Sequence, residues 1–145
     1  MCLSPATRRP KDVLATGTHA GYEWAVMSNS LGFRCGYVKV PVGHPWYGQL
    51  CEDVPCTIHG GLTFADPDYP EGLGGWWLGF SCDAGGDAPD PALGARRWPI
   101  SRNGAVVRSQ EYAEAECRKL CEQVRDAKPI PLSAEASFRL AKFAP

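Results

Sequence analysis

Three histidines, His19, His44 and His59, and seven cysteines, at positions 2, 35, 51, 56, 82, 117 and 121, are the side chains of this 145-residue chain best suited to nucleophilic, acid–base or metal chemistry. Their spacing restricts that chemistry. No CxxC pair occurs, and Cys51 and Cys56 have no matching second pair. Cys117 and Cys121 fall on the apolar stripe of a predicted helix that needs them for its core. No metal site and no cofactor is therefore expected. A thiol or carboxylate enzyme requires a nucleophile, a base and an orienting group. Cys82, His59 and Asp83 or Asp87 are nominally available, but strand alternation sends Cys82 and His59 to opposite faces. No catalytic residue is assigned, and binding is expected ahead of turnover.

A ligand has better prospects. With residues 57–64 and 74–82 read as strands, Ile58, Leu62 and Phe64 share one face with Trp76, Leu78, Phe80 and Cys82. The opposite face then collects His59, Gly61, Thr63, Trp77 and Ser81. Glycine inside a strand is often placed where another group approaches the backbone. Trp77 offers a flat stacking surface and His59 a donor or acceptor, a pairing suited to a base. The loop holding His44, Trp46 and Tyr47 supplies two further aromatic rings at the rim of this expected site. Arg96 and Arg97, beside Trp98, present forked donors for a phosphate or an acidic partner surface.

The elements that must position these groups follow from composition and periodicity. With 16 Gly and 13 Pro, one residue in five punctuates regular structure, which favours short strands and turns over a helical bundle. Five Trp and five Tyr provide the apolar area of a folded core. Residues 22–27 and 33–40 read as two antiparallel strands, with a loop from Pro41. Residues 65–73 and 83–104 read as irregular loops. From Ser109, a capping residue, Ala113, Cys117, Leu120, Cys121 and Val124 form one helical stripe that Pro129 stops, and that stripe should pack on the apolar sheet face. A weaker helical stretch spans residues 133–143. The expectation is an α+β fold: a small, mostly antiparallel sheet with a C-terminal helix on one face, spanning residues 21–145 behind a flexible arm at residues 1–20.

Charge narrows the partners. Fifteen Lys and Arg against sixteen Asp and Glu leave a net charge of -1, too little positive field for bulk nucleic-acid binding. The first eleven residues lack the apolar core of a signal peptide, and no later run has the length of a membrane span. The chain is expected in the cytoplasm, with most cysteines free and no disulfide required. Homo-oligomers are compatible with all of this.

The run from Gly32 to Gly48 (GFRCGYVKVPVGHPWYG), followed by His59-Gly60-Gly61-Leu62-Thr63-Phe64 and Gly75-Trp76-Trp77-Leu78-Gly79-Phe80, resembles a family of small accessory proteins of bacteriophage and prophage genomes. The resemblance covers residues 21–87 and the following helix. In that family the last motif continues with Asp-Cys, a His and Gly-Asp. Here Ser81-Cys82 and Ala84 stand where the acid and His would be, and Gly86-Asp87 is kept. The resemblance implies a phage-encoded, non-enzymatic anti-defence protein in the host cytoplasm, sequestering a small nucleotide-like immune signal. Two alternatives accompany it: an inhibitor that occludes a host defence protein in the manner of an anti-CRISPR, with Trp46, Tyr47 and Trp98 as anchors, and a small hydrolase using His59.

Overall fold

A computed structural model describes residues 13–67, 75–93 and 104–130. Five antiparallel strands, β1 (Val13–His19), β2 (Tyr22–Ser28), β3 (Arg34–Val40), β4 (Phe64–Pro67) and β5 (Trp76–Ser81), form one sheet in the order β1-β2-β3-β5-β4. Two residues each of β6 (Asp87–Ala88) and β7 (Val106–Val107) pair in parallel beside it. A single long helix among the described residues, α1 (Gln110–Arg125), crosses one face. This is the α+β arrangement expected from the sequence. No helix among the described residues is long and apolar enough to cross a membrane.

Local chemistry explains the elements. Ala20 and Gly21, at φ of 52° and 87°, make the two-residue left-handed turn that suits the twist of a β hairpin, and His19 faces Tyr22 across it. Residues 13–19, assigned above to a flexible arm, are thus one of the two edge strands of the sheet. Between β2 and β3 the Asn29 carboxamide accepts from the backbone of Leu31 at 3.0 Å and Phe33 at 3.1 Å, closing the second turn. Ser109 caps α1, its hydroxyl accepting from the Tyr112 amide at 3.1 Å.

The faces of β2, β3 and β5 separate as alternation predicts, but Phe64, expected on the face of Trp76 and Phe80, lies on the other one against Tyr37. Trp24, Val26, Val38, Val40, Leu78 and Phe80 meet the buried helical stripe of Ala113, Cys117, Leu120, Cys121 and Val124. Met27, Cys35, Tyr37 and Trp77 form a second cluster on the far side. Glycine at 36 and 79 makes room for rings. A Cβ on Gly36 would lie 2.3 Å from the Phe80 ring, and one on Gly79 would lie 2.7 Å from Tyr37. The space over Gly79, which alternation places on the face of Trp77 and Ser81, is therefore filled by the Tyr37 ring.

Residues 57–63 are not a strand. Gly60 and Gly61 both take positive φ, 68° and 76°, and Gly61 donates to the Ile58 carbonyl at 3.0 Å, so the chain turns where alternation was assumed. Cys51, Cys56, Cys82, Cys117 and Cys121 are free thiols. Most cysteines are thus free, as expected, whereas Cys35 is disulfide-bonded. The predicted loop arginines Arg96 and Arg97, with Trp98, and the helical stretch 133–143 lie outside the described residues.

Candidate functional site

The turn at Gly60 and Gly61 redirects His59 away from the far sheet face and onto α1. Three α1 side chains at positions 112, 116 and 123 form a polar stripe beside the apolar one and hold residues 57–59 against the helix. Gln123 accepts from the Thr57 amide at 2.7 Å and donates to its carbonyl at 2.8 Å. Glu116 accepts from the His59 amide at 3.0 Å. Tyr112 meets the imidazole itself, with its hydroxyl 2.7 Å from Nδ1 and the rings edge to face at 86°.

The opposite ring nitrogen of His59 lies 2.6 Å from Asp87 Oδ2. Asp87 begins β6, is fully buried and sits at the centre of the network. Its Oδ2 also accepts from the Ala84 amide at 3.0 Å, and its Oδ1 accepts from Arg108 Nε at 2.7 Å. Arg108 is brought there by the parallel pairing of β6 with β7, which aligns Asp87 with Val106. Its guanidinium carbon stands 5.1 Å from the Tyr112 ring centroid, a cation–π contact. Behind it, Arg34 pins the start of α1 by donating to the Arg108 carbonyl at 2.9 Å and to Gln110 at 3.1 Å, while pairing with Asp90 at 2.9 Å.

The electrostatics are coherent. Burial works to raise the Asp87 pKa, but the hydrogen bonds from Arg108 and His59, the His59 charge and the Ala84 amide together outweigh it, so the carboxyl ionises below its ordinary range. An ionised carboxylate only accepts, so His59 Nε2 donates to Asp87, while Nδ1 and the Tyr112 hydroxyl share the second hydrogen bond. Burial, followed by the Glu116 charge, raises the Tyr112 pKa, which keeps the phenol protonated. The hydrogen bond to Asp87 raises that of Arg108. Burial and then the Asp87 charge push the Cys82 thiol up to about 12, which leaves it a poor nucleophile at neutral pH. Among the described residues no three His, Cys, Asp or Glu side chains converge as metal ligands.

The residues picked from the sequence are dispersed. Thr63 and Ser81 do meet, their hydroxyls 3.3 Å apart. Trp77 lies on the far face, 8 % exposed, with the Lys39 ammonium 5.8 Å from its ring centroid. His59 is not with them. Gly61 is exposed in its turn. His44 packs at the C-terminal end of α1, where Nδ1 accepts from the Trp46 amide at 2.9 Å and Nε2 therefore donates to the Val124 carbonyl at 2.7 Å. Trp46 is buried beside it, and Tyr47 is half-buried against the Trp76 ring.

Sequence reasoning reached His59 and named Asp87 among several acids, but missed Tyr112, Arg108 and Glu116. Two signals pointed to them. The Gly-Gly pair argues against a strand through His59, and Tyr112 and Glu116, four residues apart, border the apolar stripe of the helix. Comparison of the chain with protein-family models, curated proteins and solved structures finds no match.

Proposed function

We propose that this chain is a non-enzymatic binding protein that holds a small nucleotide-like ligand at the surface formed by Arg108, Tyr112 and His59. The observation that carries this reading is the buried Asp87 carboxylate, which fixes both Arg108 and His59 from behind. Among the described residues Arg108 gives only Nε to Asp87, which leaves its two terminal amino groups for the oxygens of a phosphate. Tyr112 lies between the two as an aromatic surface with a polar tip. Both ring nitrogens of His59 are engaged, so the imidazole orients its neighbours and has no free position for a substrate proton. The resemblance to phage accessory proteins supports an anti-defence setting, with a host immune nucleotide as the ligand sequestered in the host cytoplasm.

A hydrolase is the second reading, and one observation favours it: the 2.6 Å pair of His59 and Asp87, with the Tyr112 hydroxyl on the other nitrogen, orders an acid, an imidazole and an ionisable group in line. The occlusion of a host protein has less support, because Trp46 is 3 % exposed and its indole is not available as a surface anchor.

Calorimetric titration with a panel of cyclic and linear nucleotides tests the binding reading. At least one should bind, and Arg108→Ala should weaken it about ten- to a hundredfold, the equivalent of one charge-assisted hydrogen bond. Retention of full affinity in Arg108→Ala, or no binding across the panel, would remove this surface as the site.

A further inference from the structure

α1 covers one face of the sheet, yet the far face is closed to water as well. Met27, Cys35 and Tyr37 there are fully buried and Trp77 nearly so. The described apolar residues packed against them, Val13 and Phe64, belong to the sheet itself. Cys35, Tyr37, Lys39, Trp77 and Ser81, which alternation places together on this face, each make a further covalent, polar or ring contact. So much apolar area stays dry only beneath a second layer.

One bond identifies that layer. Of the seven cysteines in the chain, Cys51, Cys56, Cys82, Cys117 and Cys121 are free thiols and Cys35 is disulfide-bonded, which leaves Cys2 to complete the pair. The register brings the two ends within reach. Val13 pairs with Met27, Met27 with Cys35 and Cys35 with Ser81, so one row of the sheet runs from the start of β1 to Cys35. At about 4.8 Å between neighbouring strands Val13 stands roughly 10 Å from Cys35, and the chain from Cys2 to Val13 spans up to about 36 Å when extended.

We infer that Cys2 is the partner of Cys35 and that the bond draws residues 1–12 across the far face as its outer layer. Met1 and Leu3, on either side of Cys2, supply the apolar cover, and the charged Arg8, Arg9 and Lys11 follow toward the sheet edge at Val13. Oxidised glutathione closes the bond in two exchanges. The Cys2 thiolate displaces one glutathione to give a mixed disulfide, and the Cys35 thiolate displaces the second, so two protein thiols become one disulfide and two glutathione thiols are released. The cover is therefore fastened or released with the thiol–disulfide poise of its surroundings.

Peptide mapping tests the bond. Protein equilibrated with oxidised glutathione is denatured with its free thiols blocked and digested with trypsin without reductant, and residues 1–8 should be recovered linked to residues 35–39. Hydroxyl-radical footprinting of the full chain tests the cover. Reduction by a dithiol, or Cys2→Ser, should raise oxidation of Met27 and Trp77 severalfold and leave Trp24 on the helix side unchanged. Reduction should also lower the melting temperature by about 10 °C, and the reductant should have no effect on Cys2→Ser. Cys35 recovered as a free thiol, or bonded to another cysteine or to a second chain, would overturn the pairing, and protection of Met27 and Trp77 that reduction leaves unchanged would overturn the cover.

Discussion

Asp87→Ala is expected to lower the unfolding free energy by about 3–5 kcal/mol, the range for removing one partner of a buried charge pair. Asp87 is fully buried, yet it terminates hydrogen bonds from three places in the chain: His59 in the turn, the Ala84 amide and Arg108 before α1. Without it, the Ala84 amide loses its acceptor and the guanidinium faces a void. Urea unfolding of the two proteins measures the difference. The pH dependence has a definite sign. Because the folded carboxyl ionises below its ordinary value, its contribution is complete above the unfolded pKa of about 3.9 and is lost as pH falls through the lower, folded value. Wild-type stability should therefore fall more steeply in that acid range than the stability of Asp87→Ala. A loss under 1 kcal/mol would mean that the network contributes little to the fold.

Phe80→Ala should be as costly, at about 3–5 kcal/mol, because the hole it leaves cannot be refilled from the facing strand. Phe80 is 1 % exposed and lies over Gly36, which has no side chain to collapse into the space. The same contact makes Gly36→Ala unfavourable on its own by about 1–3 kcal/mol, since its methyl group would meet Phe80 at 2.3 Å and the Cys117 sulfur at 2.7 Å. In the double variant the new methyl occupies part of the vacated volume. Gly36→Ala should then cost less than it does beside Phe80, the Cys117 contact remaining, and a double-mutant cycle by chemical denaturation reads that coupling directly. Additive effects would show that the two residues do not share the space.

The parts of this fold that were legible from sequence are those whose burial follows a local period. Ser109 followed by Ala113, Cys117, Leu120, Cys121 and Val124 specifies α1 and its buried face, and the alternation of Trp76 to Ser81 assigns both faces of β5. β1 was missed because its pattern is weak on its own. It has no fully buried residue, and a Cβ on Gly17 would lie 2.5 Å from the Trp24 ring, a reason for glycine that appears only once β2 is beside it. The turn at Gly60 and Gly61 was overridden by an apolar alternation that happened to fit through it. That single misreading sent His59 to the face of Trp77 and hid its partners. Asp87, Arg108 and Tyr112 are separated in sequence and converge through the parallel pairing of β6 with β7, which no local period records.

A protein that binds without turnover returns its ligand unchanged, and recovery of the ligand distinguishes it from an enzyme. A nucleotide that binds is incubated in large excess with the protein, the complex is isolated and denatured, and both the released and the unbound fractions are examined by chromatography. The account predicts that the nucleotide returns intact, at about one per chain, and that His59→Gln, which keeps one polar contact, captures less of it but leaves it unaltered. Product accumulating over many turnovers, and disappearing in His59→Gln, would contradict the account and assign His59 and Asp87 to a hydrolase.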